Sequence, residues 1–384
     1  MILRTNWLTR PATQAVCAAL EQAGFHALFV GGCVRDGIIG RAVTDIDIAT
    51  DARPEQVMQI TEAADMKPVP TGFDHGTVTV VADGFPHEVT TFRRDVETDG
   101  RRAVVAFSER VEEDALRRDF TMNALYADAR GAVIDPLGTG ISDLTARRVR
   151  FIGDPHDRIA EDYLRILRFF RFHAHYADPS GGLDADGLAA CAEMASGLEK
   201  LSRERVGAEM VKLLGAPDPG PAMAAMVQSG VLARVLPGAD ATALPLLVHL
   251  EGEAGLSPDP VRRLALLGGQ DMAVALRLSK AQASGIANRQ KRIGDAAGPG
   301  ALGYFLGEQA GRDVVLLRAA LFEAAVTKAD LAAVTHGAAQ VCPVRAADLK
   351  TTGLSGPDLG QALRAVEARW IASGFSLSKA DLLA

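Results

Sequence analysis

The chain has 384 residues, 48% of them hydrophobic and 23% charged, with a formal net charge of −7. That length calls for about two to four domains, and the apolar share excludes a disordered chain. The acidic balance argues only weakly against a nucleic-acid partner, because phosphates meet local rather than total charge. Locally, arginine is crowded over 93–118 and again over 147–171.

The cysteines Cys17, Cys33, Cys191 and Cys342 form no CxxC pair, so the chain has no zinc signature and no disulfide framework, as suits a reducing compartment. The N-terminus lacks a basic-then-apolar leader, and Arg318 interrupts the best apolar run, VVLLRAALFEAAV. The expectation is a soluble cytoplasmic protein with no membrane partner.

Taken in order, residues 12–24 read as a helix ended by Gly24. HALFVGG is a short buried strand, and TDIDIAT alternates as a strand with one wet face. PEQVMQITEAA is helical. GTVTVVADGFPHEVTTFR reads as two strands joined at Asp83-Gly84. SERVEEDALRRDFTMNALYAD reads as a helix leading into a small strand and turn at GAVIDPLG. From about residue 150 the period becomes 3.6: AEDYLRILRFFRFHAHY and SRERVGAEMVKLLG are helices, the second stopped by Gly215 and Pro217, and Gly/Pro clusters separate further helical groups. The pattern is an α/β head followed by an all-α body.

Three clusters carry chemistry. In LFVGGCVRDGIIGRAVTDIDIAT, Asp45 and Asp47 are two apart on a strand and share a face, so both carboxylates can meet one cation. Oxygen-only donors suit Mg²⁺. A two-metal site needs a further acid, and Glu88 lies on a strand able to pair alongside. A bare DxD more often lines a solvated strand and also occurs in nucleotide-sugar glycosyltransferases. Gly31 and Gly32 change that balance, since glycines let N–H groups approach a phosphate, and Arg35 can add charge-assisted bonds. Asp36 orients Arg35 or caps the helix that starts there. In the second cluster, LRRDFTMNAL, residues Arg117, Arg118, Asp119 and Asn123 fit around a helical turn, with Arg118 in reach of phosphate and Asp119 and Asn123 of ribose hydroxyls. A helix surface with one salt bridge is the plainer reading.

In the third cluster, EDYLRILRFFRF, Asp162 and Arg165 are three apart on one helix face, and Arg168 continues it. An ordinary ion pair would explain them. The sharper reading concerns base edges. Cytosine and adenine offer an amino donor beside a ring-nitrogen acceptor, whereas uracil and guanine present the reverse. A carboxylate only accepts and a guanidinium only donates, so this pair can match C or A and leave U or G with unpaired groups.

Together these segments resemble the bacterial and eukaryotic class of CCA-adding tRNA nucleotidyltransferases, which share their catalytic head with bacterial poly(A) polymerases. GGCVRDGIIGRAVTDIDIAT is similar to that family's first motif, EEDALRRDFTMNALYAD to the second, DPLGTGISDL to the third, AEDYLRILRFFRF to the fourth and LSRERVGAEMVKLL to the fifth, a helix that supports the nucleotide-binding helix. DLKTTGLSGPDLGQALRAVEARW resembles the family's C-terminal segment.

The resemblance implies a polymerase-β-like α/β nucleotidyltransferase head over 1–150, then an all-α neck over 151–215, a body over 216–300 and a tRNA-binding tail over 301–384. It implies Asp45 and Asp47 as metal ligands and Glu88 as the third acidic residue. It implies Gly31, Gly32 and Arg35 at the nucleotide phosphates, Arg118, Asp119 and Asn123 at ribose and phosphates, Asp162 and Arg165 as the base-reading pair, and Arg168 at phosphate. It places the family's flexible loop, linked to the switch from C to A, at RRDVETDGRR, 93–102. Gly138-Thr139-Gly140 departs from the adjacent glycines of many relatives.

The expected activity is addition of C, C and A to the tRNA 3′ end from CTP and ATP with Mg²⁺. The alternatives are a poly(A) polymerase, a partial CC-adding or A-adding enzyme and, more remotely, a non-catalytic RNA-binding protein. Oligomeric state is not legible.

Overall fold

The computed structural model describes residues 1–99, 102–350 and 354–384. These divide into two compact units, Met1–Glu209 with Pro221–Arg234, and Met210–Gly220 with Val235–Ala384.

The first unit is built on a seven-stranded sheet in the order β3-β4-β5-β2-β1-β8-β9. Its strands are β1 (Leu28–Val30), β2 (Asp47–Thr50), β3 (Lys67–Gly72), β4 (Thr77–Ala82), β5 (Phe85–Thr91), β8 (Tyr126–Ala127) and β9 (Val133–Ile134). Only the β2–β5 pair is parallel. Asp83 and Gly84 both take positive φ, 48° and 79°, the geometry that joins tightly turned antiparallel strands. A separate hairpin pairs β6 (Arg93–Asp99) with β7 (Arg102–Phe107). The loop expected at 93–102 falls on this hairpin, and Gly100 and Arg101 lie outside the described residues.

Helix α1 (Pro11–Gln22) starts with proline at its first turn and buries Ala12, Val16, Cys17 and Leu20, an i, i+4 stripe. Helices α2 (Gly32–Ile38) and α3 (Pro54–Ala63) follow their strands. Two expectations fail in what comes next. The helix read through LRRDFTMNAL is only α4 (Val111–Leu116), and the chain then runs extended at Phe120 (φ −121°, ψ 147°) into a single 3₁₀ turn, Thr121–Asn123. Phe120 is bridged to Phe151 and its ring packs 5.0 Å from those of Phe151 and Phe172; burying that ring overrides local helix propensity. After α5 (Gly140–Thr145), the long helix read over 160–176 proves to be two, α6 (Pro155–Glu161) and α7 (Leu164–Tyr176). They are broken at Asp162, whose backbone is extended (φ −155°, ψ 106°). Helix α8 (Ala185–Glu193) and α9 (Arg203–Leu214) complete the elements that shape the site, followed by α10 (Gly220–Gln228) and α11 (Val231–Val235).

The second unit is helical throughout its described residues: α12 (Leu244–Glu253), α13 (Pro260–Leu267), α14 (Met272–Ala275), α15 (Lys280–Ile293), α16 (Pro299–Leu306), α17 (Glu308–Phe322), α18 (Lys328–Ala338), α19 (Ala346–Lys350), α20 (Gly356–Ala372) and α21 (Lys379–Leu383). Its centre holds an ionic cluster that the apolar patterning does not announce. Arg262 donates to Glu251 (2.7 Å) and Asp313 (2.8 Å), Arg263 to Glu251 (2.6 Å), and Arg289 to Asp313 (2.6 Å). All five side chains are buried. Pairing and hydrogen bonding are what make such burial tolerable. Among the described residues, no helix is long and apolar enough to cross a membrane.

Candidate active site

In the first unit, a cleft of about 660 Å³ opens where the turn after β1, the residues leading into β2, the segment after α4, and helices α7 and α9 converge. Of the residues singled out from sequence, Gly31, Gly32, Arg35, Asp45, Asp47, Arg118, Asp119, Asn123, Asp162, Arg165 and Arg168 line it. Glu88 is exposed and flanks the cleft: it stands opposite Asp47 in the parallel β2–β5 register, and its N–H donates to the Ile46 carbonyl at 3.1 Å.

Gly31 turns the chain from β1 into α2 with φ +70°, a conformation that L side chains rarely adopt, and a Cβ there would lie 3.3 Å from the Arg118 guanidinium. A glycine is what lets the backbone approach a guanidinium this closely. Asp45 precedes β2, so the strand proper begins at Asp47 rather than at Thr44. Asp45 is exposed and Asp47 half-buried. Burial first, and then the neighbouring Glu88 carboxylate, raise Asp47 to about 6, against the pull of Arg118 and with a smaller push from Asp45. Three carboxylates thus repel one another at one edge of the cleft. Among the described residues, no preformed cluster of three or more His, Cys, Asp or Glu side chains is arranged to hold a metal.

The wall behind the glycine turn is a continuous polar chain. Arg168 on α7 donates to Asp119 at 2.7 Å, and the Asn123 amide donates to Asp119 at 2.8 Å. Arg35 in turn donates to the Asn123 amide oxygen at 2.5 Å. The same Arg35 forks onto Asp36 with two 3.0 Å bonds and donates to the Tyr176 hydroxyl at 2.6 Å. Asp36 therefore orients Arg35, one of the two roles open to it from sequence. Arg35 is only 6% exposed, so it braces the turn from behind, its guanidinium stacked 4.1 Å over Tyr176. Burial alone would raise the Asp119 carboxyl, but Arg168, the Asn123 amide and the Phe120 N–H together hold it at about 2.

Asp114 is a site residue that sequence reasoning missed. It is 1% exposed and accepts from Arg117 (2.8 Å), Arg118 (2.9 Å) and the Tyr126 hydroxyl (2.6 Å). Its spacing in DALRR, three and four residues before the arginines, was the available signal. Burial opposes the charge, yet Arg118, Arg117 and Tyr126 outweigh it and hold the carboxyl at about 2.

The expectation that Asp162 and Arg165 share a helix face is corrected. Asp162 lies in the break between α6 and α7: its Oδ1 accepts from the Leu164 N–H at 3.1 Å, capping α7, and its Oδ2 accepts from Arg205 at 2.6 Å. Arg165 is on α7 and donates to the Arg158 carbonyl (2.8 Å), the Arg117 carbonyl (3.2 Å) and Glu161. Both side chains still line one cleft, brought together by the break rather than by helical period. Arg117, Arg171, Phe172 and Arg205 line it too without having been assigned roles from sequence. Arg168 and Arg171 stack on Phe172 at 5.3 and 4.5 Å, an arrangement that pre-orders two cations.

The chain is similar to several known proteins. Residues 27–150 match the poly A polymerase head domain, and residues 183–242 match the "Probable RNA and SrmB-binding site of polymerase A". The CCA-adding enzyme of Streptococcus gordonii is 43% identical over 219 residues, 56% of this chain and 53% of its own length. That of Geobacillus sp. WCH70 is 41% identical over 218 residues, 56% and 52% respectively. The chain thus spans about half the length of the curated relatives it matches. The crystal structure of the Bacillus stearothermophilus CCA-adding enzyme in complex with CTP superposes with a TM-score of 0.72 at 29% identity, covering 95% of this chain and 94% of that one. The Thermotoga maritima CCA-adding enzyme complexed with tRNA shares the fold, with a TM-score of 0.69 at 16% identity, covering 100% and 98%. The head is a polymerase-β-like nucleotidyltransferase with a mixed sheet, and the remainder is helical.

Proposed function

We propose that this chain belongs to the nucleotidyltransferase family that carries the poly A polymerase head, which residues 27–150 match, and that it adds C, C and A to the 3′ end of tRNA from CTP and ATP in the cytoplasm, releasing pyrophosphate. One observation carries this reading: Asp45 and Asp47 line the same cleft as Asp162 and Arg165, so a pair able to bind a cation faces a pair able to read a base.

The donor set fits a hard divalent cation. Two carboxylates two residues apart line the cleft with Glu88 beside them, and the burial and carboxylate repulsion that together raise Asp47 are costs that a bound cation offsets. Mg²⁺ held by Asp45 and Asp47, with Glu88 as the third acid, would lower the pKa of the primer 3′-hydroxyl and stabilise the leaving pyrophosphate. The residues themselves do the positioning. Gly31 and Gly32 let backbone N–H groups approach the triphosphate. Arg118 and Arg168 bring fixed positive charge to it, each oriented by a buried carboxylate. Asp119 and Asn123 hold the ribose end. Asp162 accepts from the exocyclic amino group of C or A, and Arg165 donates to the adjacent ring nitrogen. Three of the five N–H groups of Arg165 are committed to Arg158, Arg117 and Glu161, which fixes the direction of the rest. Holding reactants this way supplies much of the rate enhancement in such transfers. The helical remainder grips the acceptor arm by its backbone and shape.

The test offers the purified protein tRNA transcripts ending at the discriminator base, at C and at CC, each with one labelled NTP and Mg²⁺. Two Cs, then one A, and nothing added to a finished CCA end is the expected result. Long A tracts would instead identify a poly(A) polymerase. Addition of only C or only A would identify a partial enzyme, and no incorporation would leave an RNA-binding protein.

A further inference from the structure

Arg168, Phe172 and Tyr176 follow one another at intervals of four and share one face of α7. The polar chain behind the glycine turn begins and ends on that face. From Arg168 it passes to Asp119 (2.7 Å), Asn123 (2.8 Å) and Arg35 (2.5 Å), and Arg35 then donates to the Tyr176 hydroxyl at 2.6 Å. The rings fill the middle. Phe172 stacks on Tyr176 at 5.4 Å and lies under the guanidinium of Arg168 at 5.3 Å and that of Arg35 at 5.2 Å. Arg41, in the loop that leads to Asp45, lies 4.7 Å over the Tyr176 ring and donates to the His175 carbonyl at 2.7 Å. Tyr176 stands behind the cleft rather than in its lining.

We propose that Tyr176 is a positioning residue for the triphosphate: it closes this circuit and so holds Arg35 and the glycine turn at a fixed distance from Arg168. The inference rests on the reading above and deepens it. A nucleotide in this cleft is gripped at two places, its base at the start of α7 and its phosphates by the glycine turn and Arg168. The phosphate grip combines parts of α2 and α7, and only side chains set the spacing between them. Tyr176 sets it, because its hydroxyl and its ring both bind Arg35 to the helix that carries Arg168. Arg35 and Arg41 also meet over that one ring, whose negative faces offset the repulsion between them. Without the hydroxyl, Arg35 keeps Asp36 and Asn123 but loses its polar tie to α7. The phosphate contacts must then be ordered at the moment of binding, which weakens it. Base reading does not depend on the circuit, since Asp162 and Arg165 take their hydrogen bonds from partners outside it.

The experiment compares the full chain with Tyr176→Phe, which keeps the ring but not the hydroxyl, and with Tyr176→Leu, which keeps neither. Inorganic pyrophosphate probes the phosphate grip, through its inhibition constant against CTP on tRNA ending at the discriminator base. The kcat and KM for CTP and for UTP are measured alongside, with the melting temperature. For Y176F the pyrophosphate inhibition constant and the KM for CTP should rise together on the order of tenfold, the scale of one hydrogen bond to a charged group. The kcat should fall less than KM rises, and the CTP/UTP ratio of kcat/KM should be preserved. Y176L should weaken pyrophosphate further; if it does not fold, Y176F decides alone. An unchanged pyrophosphate constant in Y176F overturns the proposal. So does a CTP/UTP ratio that collapses along with pyrophosphate binding, because the whole cleft would then have loosened. An unsubstituted chain that adds neither C nor A overturns the proposed activity itself; normal CCA addition with an unchanged pyrophosphate constant overturns only the role of Tyr176.

Discussion

Charge at single residues in the head is arranged in two opposite ways. Asp47 is raised to about 6 by burial and by Glu88, so it is poised to gain from a cation. Asp114 and Asp119 are held at about 2 by the arginines they orient, so they are poised to hold cations in place. Replacing either cleft acid should therefore stop chemistry without disturbing the scaffold: Asp45→Ala or Asp47→Ala is expected to abolish nucleotide incorporation and leave tRNA retention on a filter nearly unchanged. Retained turnover in either variant would remove the metal assignment. Asp114 behaves differently. Its folded-state pKa is depressed below the ordinary value of 3.8, so its stabilisation is complete above that pH and is lost as the pH falls toward about 2, where the carboxyl protonates in the folded protein as well. The shift corresponds to about 2 kcal/mol. Asp114→Asn should lower stability at neutral pH and flatten the dependence between about pH 4 and 2, read by urea denaturation at a series of pH values. An acid limb identical to that of the unsubstituted protein would place the titrating group elsewhere.

Helices and strands were legible to different degrees. Strands β4 and β5 were readable because Asp83-Gly84 demands one turn geometry and the flanking residues alternate. The acidic pair was legible only in part: Asp45 precedes β2 rather than lying on it, yet both carboxylates line the cleft, and the Asp47–Glu88 register bears out the expected pairing alongside. The break at Asp162 was not, since EDYLRIL has no glycine or proline. It exists because Asp162 caps α7 and meets Arg205, 43 residues away, and no local pattern reports such a partner. The buried Arg262–Asp313 cluster was hidden for the same reason. So was the crossing of α16 on α18, where glycine replaces side chains. A Cβ at Gly337 would lie 1.9 Å from the Gly300 carbonyl oxygen, and one at Gly303 2.0 Å from that of Val334. Both obstacles are backbone, so neither can rotate aside. Gly337→Ala should force the helices apart and destabilise the helical unit by about 2 kcal/mol or more, seen as a lowered melting temperature. Gly252→Ala, on helix α12 of the same unit with open space around it, controls for the glycine-to-alanine change alone and should be neutral or stabilising by up to about 1 kcal/mol. Equal losses in the two would mean that the close crossing contributes nothing.

Net charge and local charge point in opposite directions in this protein. The chain carries −7 overall, yet seven arginines against four aspartates line the cleft. An acidic exterior repels polyanions except where the arginines are concentrated, so RNA and triphosphate should be drawn to one place rather than coat the surface. Asp36, Asp114, Asp119 and Glu209 hold several of those arginines in fixed directions, so a phosphate meets cations whose side-chain entropy is already lost. If the proposed tRNA partner is held this way, its affinity must fall with salt as phosphate-bound counterions are released, by a slope of roughly 0.7 to 0.9 per neutralised phosphate in a plot of log K against log salt. Three or more contacts predict a slope steeper than about −2, measured by filter binding of tRNA between about 50 and 200 mM KCl. Asp45→Ala should keep that slope, because it removes an acid and no cation, whereas Arg117→Ala should make it shallower. A flat salt dependence would mean that shape and stacking hold the RNA, and that the arginines of the cleft act on the nucleotide alone.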